Sequence, residues 1–336
     1  MSVFSARHGP APFDVLHPRH DFFILTNDYT LFPASSDDFR LSSPELSKMV
    51  DNKSDTVFDG MRAVRFPHSL EMVYNLLLLI SSTAGIPTFR LNLDDTVQAL
   101  EFVNLVLQYR IRRGRENWLV EILEKCVQKA PIESLAVALA NYWTRGVTLA
   151  ADACMRHRHE TIQKMLARQR RFPRVPIEAS DERRLEDLRR AREYAVQALF
   201  GGEDQLALPF LDHSNFAFFR CTHGMPLDAL YINHGKERVG AAVWFLDLCR
   251  KLKTMLSKSP CVATIDDLKL GYEPFVHFCK RCGHRTEGDL QRLLAILAEA
   301  VRNACGKHKF DLSRVDAVEK GILEEEHIRQ VANIAW

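Results

Sequence analysis

The sequence has no long hydrophobic run and no segment with the composition of a secretory signal. Its continuous apolar stretches, such as Leu76 to Ile80, are far shorter than the roughly 20 residues that a membrane-spanning helix needs. Charged residues and prolines interrupt the first thirty positions, so no apolar signal core forms there. We therefore expect a protein of the cytoplasm, the nucleus or both, with no membrane partner.

The sequence also lacks an excess of charge of either sign. Lysine and arginine total 45, and aspartate and glutamate total 43, which leaves a net charge of +2. Such a balance creates no overall field that would attract nucleic acid or an anionic lipid surface. The composition therefore argues against a nucleic-acid-binding protein, unless a local patch of one sign exists.

One local basic patch runs from Arg156 to Arg174. It can be the solvated face of a helix that leads into a linker, or it can contact phosphates or act as a weak nuclear import signal. Acidic residues between Asp181 and Asp187 follow it and dilute its field. The basic members of the patch are Arg156, Arg158, Lys164, Arg168, Arg170, Arg171 and Arg174.

Several catalytic motifs are missing as well. The sequence contains no glycine-rich phosphate loop and no His-Glu-x-x-His pattern. The zinc-deaminase pattern fails because His159 is followed directly by Glu160, and because Phe278 stands where proline should precede Cys279. A cysteine and a histidine that meet only in space would leave no such pattern. We predict that the chain is not an enzyme.

With 336 residues, 46% of them hydrophobic, the chain is long enough for two domains. The clearest local pattern lies near its beginning. Phe22, Ile24 and Leu31 alternate as in half-buried strands, and Asn27-Asp28 supplies a turn between them. The apolar pattern then continues into a helix through Phe32, Phe39, Leu46 and Met49.

This segment resembles the opening of a BTB/POZ domain, as found in fungal BTB-domain-containing proteins. The matching residues, at the family's own spacing, are Asp21, Asp28, Phe32, Phe39, Ser43, Pro44, Leu46 and Met49. The chain departs from the family at Ser35-Ser36, where the family usually has His-Lys. The resemblance implies an α+β domain over residues 18–155, with a small sheet flanked by helices.

The resemblance also implies a function in association. BTB domains bind other proteins, including cullin scaffolds of ubiquitin ligases, or bind themselves as homodimers. Dimers of the family commonly use the first helix and the N-terminal segment, which here are Phe39 to Met49 and part of Phe4 to Leu16. The sequence itself does not select among these partners.

Apolar spacing after Ser69 predicts a series of helices. They cover residues 70–81, a stretch between the N-cap Asp94 and Gly114, residues 116–129, and a stretch from Pro131 to Arg145-Gly146. A further predicted helix over residues 147–166 begins in the first domain and continues past its end. Residues 156–180 are predicted as a basic helix end and linker. Residues 181–336 are predicted as a mostly α-helical second domain, with helices over 182–200, 236–256 and 289–305.

Cys279 and Cys282 form the only cysteine pair at metal-ligand spacing. Such a pair supplies half of a tetrahedral zinc site, and Cys221 with His223 are our candidates for the other half. Cys261, His277 and His284 are alternative ligands. The competing interpretation is that Cys279 and Cys282 are ordinary reduced thiols in a loop.

Together these patterns predict an intracellular interaction protein that acts through a BTB/POZ-like domain, as a homodimer or as an adaptor. The alternative is a zinc-containing, transcription-related factor. In that case the region of Cys279 and Cys282 folds around a structural zinc ion, and the patch from Arg156 to Arg174 contacts DNA.

Overall fold

The computed structural model describes residues 7–51, 56–80, 95–111, 117–171, 175–200, 231–234, 237–240, 243–261, 264–265 and 287–321. The chain divides into two compact units, Met1–Gly146 and Val147–Trp336. The first unit combines a five-stranded sheet with helices, and the described part of the second is mostly helical. A mixed fold of helices and one small sheet was predicted, and at this level the prediction is confirmed.

The five strands of the first unit form one sheet in the order β1-β3-β2-β5-β4. The central strand is β2, which pairs with the antiparallel β3 on one side and with the parallel β5 on the other. Its Ile24 lies opposite Phe32 of β3 and opposite Val64 of β5. Parallel neighbours need a crossover connection, which helices supply here. The strands are β1 Arg7–His8, β2 Phe22–Leu25, β3 Thr30–Ala34, β4 Val57–Phe58 and β5 Met61–Arg65.

The predicted hairpin between Asp21 and Phe32 is confirmed. Its turn is closed by hydrogen bonds from the backbone N–H of Thr26 to the Thr30 carbonyl and from the backbone N–H of Thr30 to the Thr26 hydroxyl, and Tyr29 takes the left-handed conformation with a φ of 59°. The expected half-burial of β2 is wrong, because Phe23 is as deeply buried as Phe22 and Ile24. One face of β2 packs Phe22 against a helix, and Phe23 on the other face joins a second apolar cluster.

The helices of the first unit largely follow the apolar spacing. They are α1 Ser36–Ser42, α2 Pro44–Asp51, α3 Leu70–Ile80, α4 Thr96–Gln108, α5 Asn117–Lys129 and α6 Pro131–Ala140. The N-cap of α4 is Asp95 rather than Asp94, since the Asp95 carboxylate accepts hydrogen bonds from the backbone N–H groups of Val97 and Gln98. Asp94 lies outside the described residues.

The predicted end of α6 at Arg145-Gly146 is wrong. The helix ends at Ala140, and Tyr142 turns the chain with a φ of 52°. Gly146 belongs to the next helix, α7 Thr144–Cys154, where a side chain at this position would overlap the ring of Trp143. The glycine therefore serves close packing instead of terminating a helix.

The second unit contains helices α8 His159–Arg171, α9 Ala179–Phe200, α10 Val243–Lys258 and α11 Glu287–Gly306, and a further helix over 313–321. The single helix predicted over 147–166 is wrong, because turns between Met155 and Arg158 separate α7 from α8. The helix predicted from Lys236 begins only at Val243. Before it lies a hairpin of β6 Tyr231–His234 and β7 Glu237–Gly240, in which Ile232 and Val239 pair.

None of the helices in these described ranges is long and apolar enough to cross a membrane.

Candidate functional site

The four residues proposed as zinc ligands, Cys279, Cys282, Cys221 and His223, lie outside the described residues. The same holds for His277 and His284. Among the residues that are described, no group of three or more metal-binding side chains gathers. Cys261 is described, and its sulfur lies 3.5 Å from the hydroxyl oxygen of Thr264.

Three of the buried cysteines in the described ranges are poor nucleophiles. Burial raises the pKa of Cys126 and of Cys305 to about 11, and it raises the pKa of Cys249 as well. The Cys305 thiol donates a hydrogen bond to the backbone carbonyl of Pro260. Because the thiolate is the reactive form, these three side chains are suited to packing at neutral pH.

Ser35 and Ser36 are the pair that departs from the BTB/POZ pattern, and both serve the start of α1. The Ser35 hydroxyl caps the helix by accepting from the backbone N–H of Asp38, at 3.4 Å. Ser36 donates to the Asp21 carboxylate from its backbone N–H at 2.8 Å and from its hydroxyl at 2.5 Å. The acidic residue that opens the motif therefore holds the first helix against the sheet.

A second polar cluster joins the start of α2 to the end of α4. The Ser43 hydroxyl accepts from the backbone N–H groups of Glu45 and Leu46, each at 3.1 Å, and donates to the carbonyl of Tyr109. The Tyr109 hydroxyl lies 3.3 Å from Nε2 of His68. Burial lowers the pKa of His68 and raises the pKa of Tyr109, so both groups favour their neutral forms.

The segments assigned to association contain both buried and exposed apolar side chains. Phe39 and Leu46 are fully buried in the first unit. Leu41 on α1 is 71% exposed, while Val15 and Leu16 in the N-terminal segment are 68% and 54% exposed. We call these three residues the exposed apolar set. Isolated exposed apolar residues are ordinary, but large ones within a segment that the resemblance assigns to association are candidates for contact.

In the second unit, two buried arginines lie one helical turn apart on α9. The Arg189 guanidinium donates to the backbone carbonyls of His157 at 2.7 Å and of Cys154 and Lys258 at 3.3 Å. The Arg192 guanidinium donates to the carbonyl of His308. We call Arg189 and Arg192 the arginine pair.

Those carbonyls belong to the C-terminal ends of α7, α10 and α11 or follow directly after them. Helix ends leave carbonyls without intrahelical partners and carry partial negative charge, so buried cations there are favourable. Arg192 also contacts the Asp152 carboxylate at 2.5 Å, and Arg189 lies 3.7 Å from that of Glu193. These contacts connect α9 to the ends of α7, α10 and α11. Partners within the protein therefore largely occupy both guanidinium groups.

Sequence reasoning missed the arginine pair, although a signal was present. The buried positions of α9 recur at helical spacing, and Arg189 and Arg192 occupy positions within that stripe. An arginine at a core-facing position needs buried acceptors, which here are carbonyls from helices distant in sequence.

The described part of the basic patch, Arg156 to Arg171, lies on α8 and in the turn before it. Arg158, Lys164 and Arg168 are exposed, and Arg174 lies outside the described residues. Near the start of α8, Nδ1 of His159 is 3.2 Å from the carboxylate of Glu186 on α9.

Comparison with protein-family models, with curated proteins and with solved structures found no match to this chain.

Proposed function

We propose that the first unit is a BTB/POZ-like interaction domain and that the chain works by association, as a homodimer or as an adaptor for another protein. The observation that carries this proposal is the exposed apolar set. Leu41, Val15 and Leu16 expose more than half of their surface, and they fall in the two segments that the resemblance assigns to association.

The sheet and its first helices support the same proposal. The hairpin of β2 and β3 is followed by two short helices, and β5 then returns parallel to β2. Asp21 and Ser36 hold α1 against this sheet, so Leu41 projects from a well-anchored helix. A rigid apolar contact loses little conformational entropy on binding.

Light scattering coupled to size-exclusion chromatography tests the homodimer at tens of micromolar protein. A dimer has twice the chain mass of 38.5 kDa. The double variant Val15→Asp/Leu41→Asp should be a monomer, since each aspartate would put a charge into an apolar contact. Val97→Asp is the matched control, because Val97 is 57% exposed on another helix of this unit and its change should leave the dimer intact.

A wild-type protein that stays strictly monomeric rejects the homodimer and leaves the adaptor. Affinity capture with wild-type chain, analysed by mass spectrometry, then tests the adaptor. A partner, of the cullin-scaffold type or another, must be retained by the Val97→Asp control and lost by the double variant. A partner retained equally by both would show that the exposed apolar set has no part in binding.

A further inference from the structure

Helix α8 has two contrasting faces. Ile162 and Leu166 are each only 3% exposed, and Gln169 completes this buried side. On the opposite side Lys164 and Arg168 are exposed, with Gln163 and Ala167 next to them. Lys164 and Arg168 are four residues apart, so they lie on the same side of the helix, about 6 Å apart along its axis.

The region of α8 concentrates positive charge. Residues 156–171 contain six lysine and arginine residues and one glutamate, which gives a net charge of +5. Because the whole chain carries +2, all other residues together carry −3. The small net charge of the whole chain is therefore the sum of a strongly basic segment and a slightly acidic remainder.

Among the described residues, an acidic neighbour contacts α8 at its beginning. Glu186 of α9 contacts His159 at 3.2 Å and also pairs with Arg190. Within the part of the chain that the structure describes, Lys164 and Arg168 make no ion pair. The only acidic residue on α8 itself is Glu160, one turn before Lys164. The two cations are thus available to an external anion.

We propose that the exposed face of α8, centred on Lys164 and Arg168, binds the phosphate backbone of a nucleic acid without reading its sequence. Lysine and arginine contacts to phosphates need only charge and reach, and they gain free energy by releasing counterions. This function is independent of association through the first unit.

Two other classes of anionic partner fit the face less well. A helix that lies in a membrane surface must insert an apolar face, whereas the apolar side of α8 is already buried in the protein. A folded acidic protein is bound mainly through buried aromatic or aliphatic anchors. The exposed side of α8 offers only Gln163, Lys164, Ala167 and Arg168 between its charged ends.

Fluorescence anisotropy with a short labelled DNA duplex tests the proposal on the full chain. Binding should weaken steeply between about 50 and 200 mM salt. In the variant Lys164→Gln/Arg168→Gln, the slope of log affinity against log salt should become shallower by about 0.9 for each cation removed. Glutamine has nearly the helix propensity of lysine and arginine, so α8 should remain folded.

The matched control is Arg183→Gln/Lys309→Gln, which removes the same charge at two exposed positions outside α8. It should keep the wild-type slope. Circular dichroism melts of both variants should coincide with that of the wild type. A single-stranded RNA probe distinguishes the two sources of phosphate, and salt-dependent binding of either probe that is lost only in the α8 variant supports the proposal.

Three outcomes would overturn it. The first is the absence of salt-dependent binding to both probes. The second is an equal loss of affinity in the α8 variant and in its control, which would reflect net charge alone. The third is binding to vesicles that contain anionic lipid, without binding to either nucleic acid.

Discussion

At the scale of single residues, the arginine pair shows how a charged side chain becomes a core residue. Arg189 is only 2% exposed, yet its guanidinium contacts three carbonyl oxygens from two separate stretches of chain. Lysine could not replace it, because one ammonium group cannot reach several separated acceptors in a planar fork. The stability of the second unit should therefore depend on this side chain far more than on its exposed neighbours.

We predict that Arg189→Met destabilises the protein by about 3 kcal/mol. Methionine keeps an apolar stem but leaves buried carbonyls and the Glu193 carboxylate without their donor. Arg190→Met is the control, since the Arg190 side chain is 71% exposed and pairs with Glu186 on its own helix. Such a surface pair contributes about 0.3 to 0.5 kcal/mol.

Urea unfolding followed by circular dichroism measures both variants. The midpoint of Arg189→Met should fall clearly, and that of Arg190→Met should stay close to the wild type. Equal midpoints for the two variants would show that the carbonyl contacts of Arg189 add nothing to stability.

At the scale of elements, the β4–β5 hairpin depends on one glycine. Asp59 and Gly60 both have positive φ, at 48° and 79°, in a two-residue turn that joins Val57–Phe58 to Met61–Arg65. Turns of this kind suit the right-handed twist of the strands and favour Asp-Gly. No atom lies within 4 Å of a Cβ added to Gly60, so any cost of a side chain there comes from the backbone alone.

We predict that Gly60→Ala destabilises the first unit by about 1 kcal/mol. Gly288→Ala is the matched control, because a Cβ there also meets open space but the residue lies within α11. Alanine is the better helix former, so this change should be neutral or stabilise by up to about 1 kcal/mol. Thermal unfolding of both variants gives the comparison, and a loss in both would contradict the backbone explanation.

The elements that sequence predicted best are those in which one short pattern contains all the determinants. The β2–β3 hairpin has its turn and its apolar residues within Asp21 to Phe32, and α3 and α5 carry complete apolar stripes. The break between α7 and α8 was missed because no glycine or proline lies between Met155 and Arg158. Its carbonyls are instead taken up by Arg189, which lies more than thirty residues later.

The candidate sites show the same limit. The exposed apolar set lies in segments that the resemblance indicated, but periodicity could not separate exposed Leu41 from buried Phe39 and Leu46. That difference arises from how α1 packs on the sheet. The basic character of α8 was visible in composition, whereas the compensation of its start by Glu186 depends on the packing of α9.

At the scale of the whole molecule, three partly buried histidines give the two units a common dependence on pH. Burial lowers the pKa of His20 and His68 in the first unit and of His157 in the second. In each case the folded chain disfavours the charged imidazolium. The unfolded chain, with a histidine pKa near 6.5, therefore binds more protons over the range below that value.

We predict that the free energy of unfolding falls as the pH is lowered from 7.5 to about 5.5. The stability that each neutral histidine contributes is complete above its unfolded pKa and is lost as the pH falls through its lowered folded pKa. Burial raises the pKa of Asp181 and Glu193, and this works in the opposite sense as the carboxyls take up protons. A comparison of the wild type with a histidine variant separates the contribution of that histidine from the contribution of these carboxyls.

In His68→Gln the amide can keep a hydrogen bond near Tyr109 but does not titrate. Urea unfolding at several pH values should show a smaller loss of stability in this variant than in the wild type, because every other titrating group is shared. Identical slopes would mean that His68 is charged as easily in the folded chain as in the unfolded one. The partial burial of His68, beside Tyr109 at the end of α4, would then not control the protonation of His68.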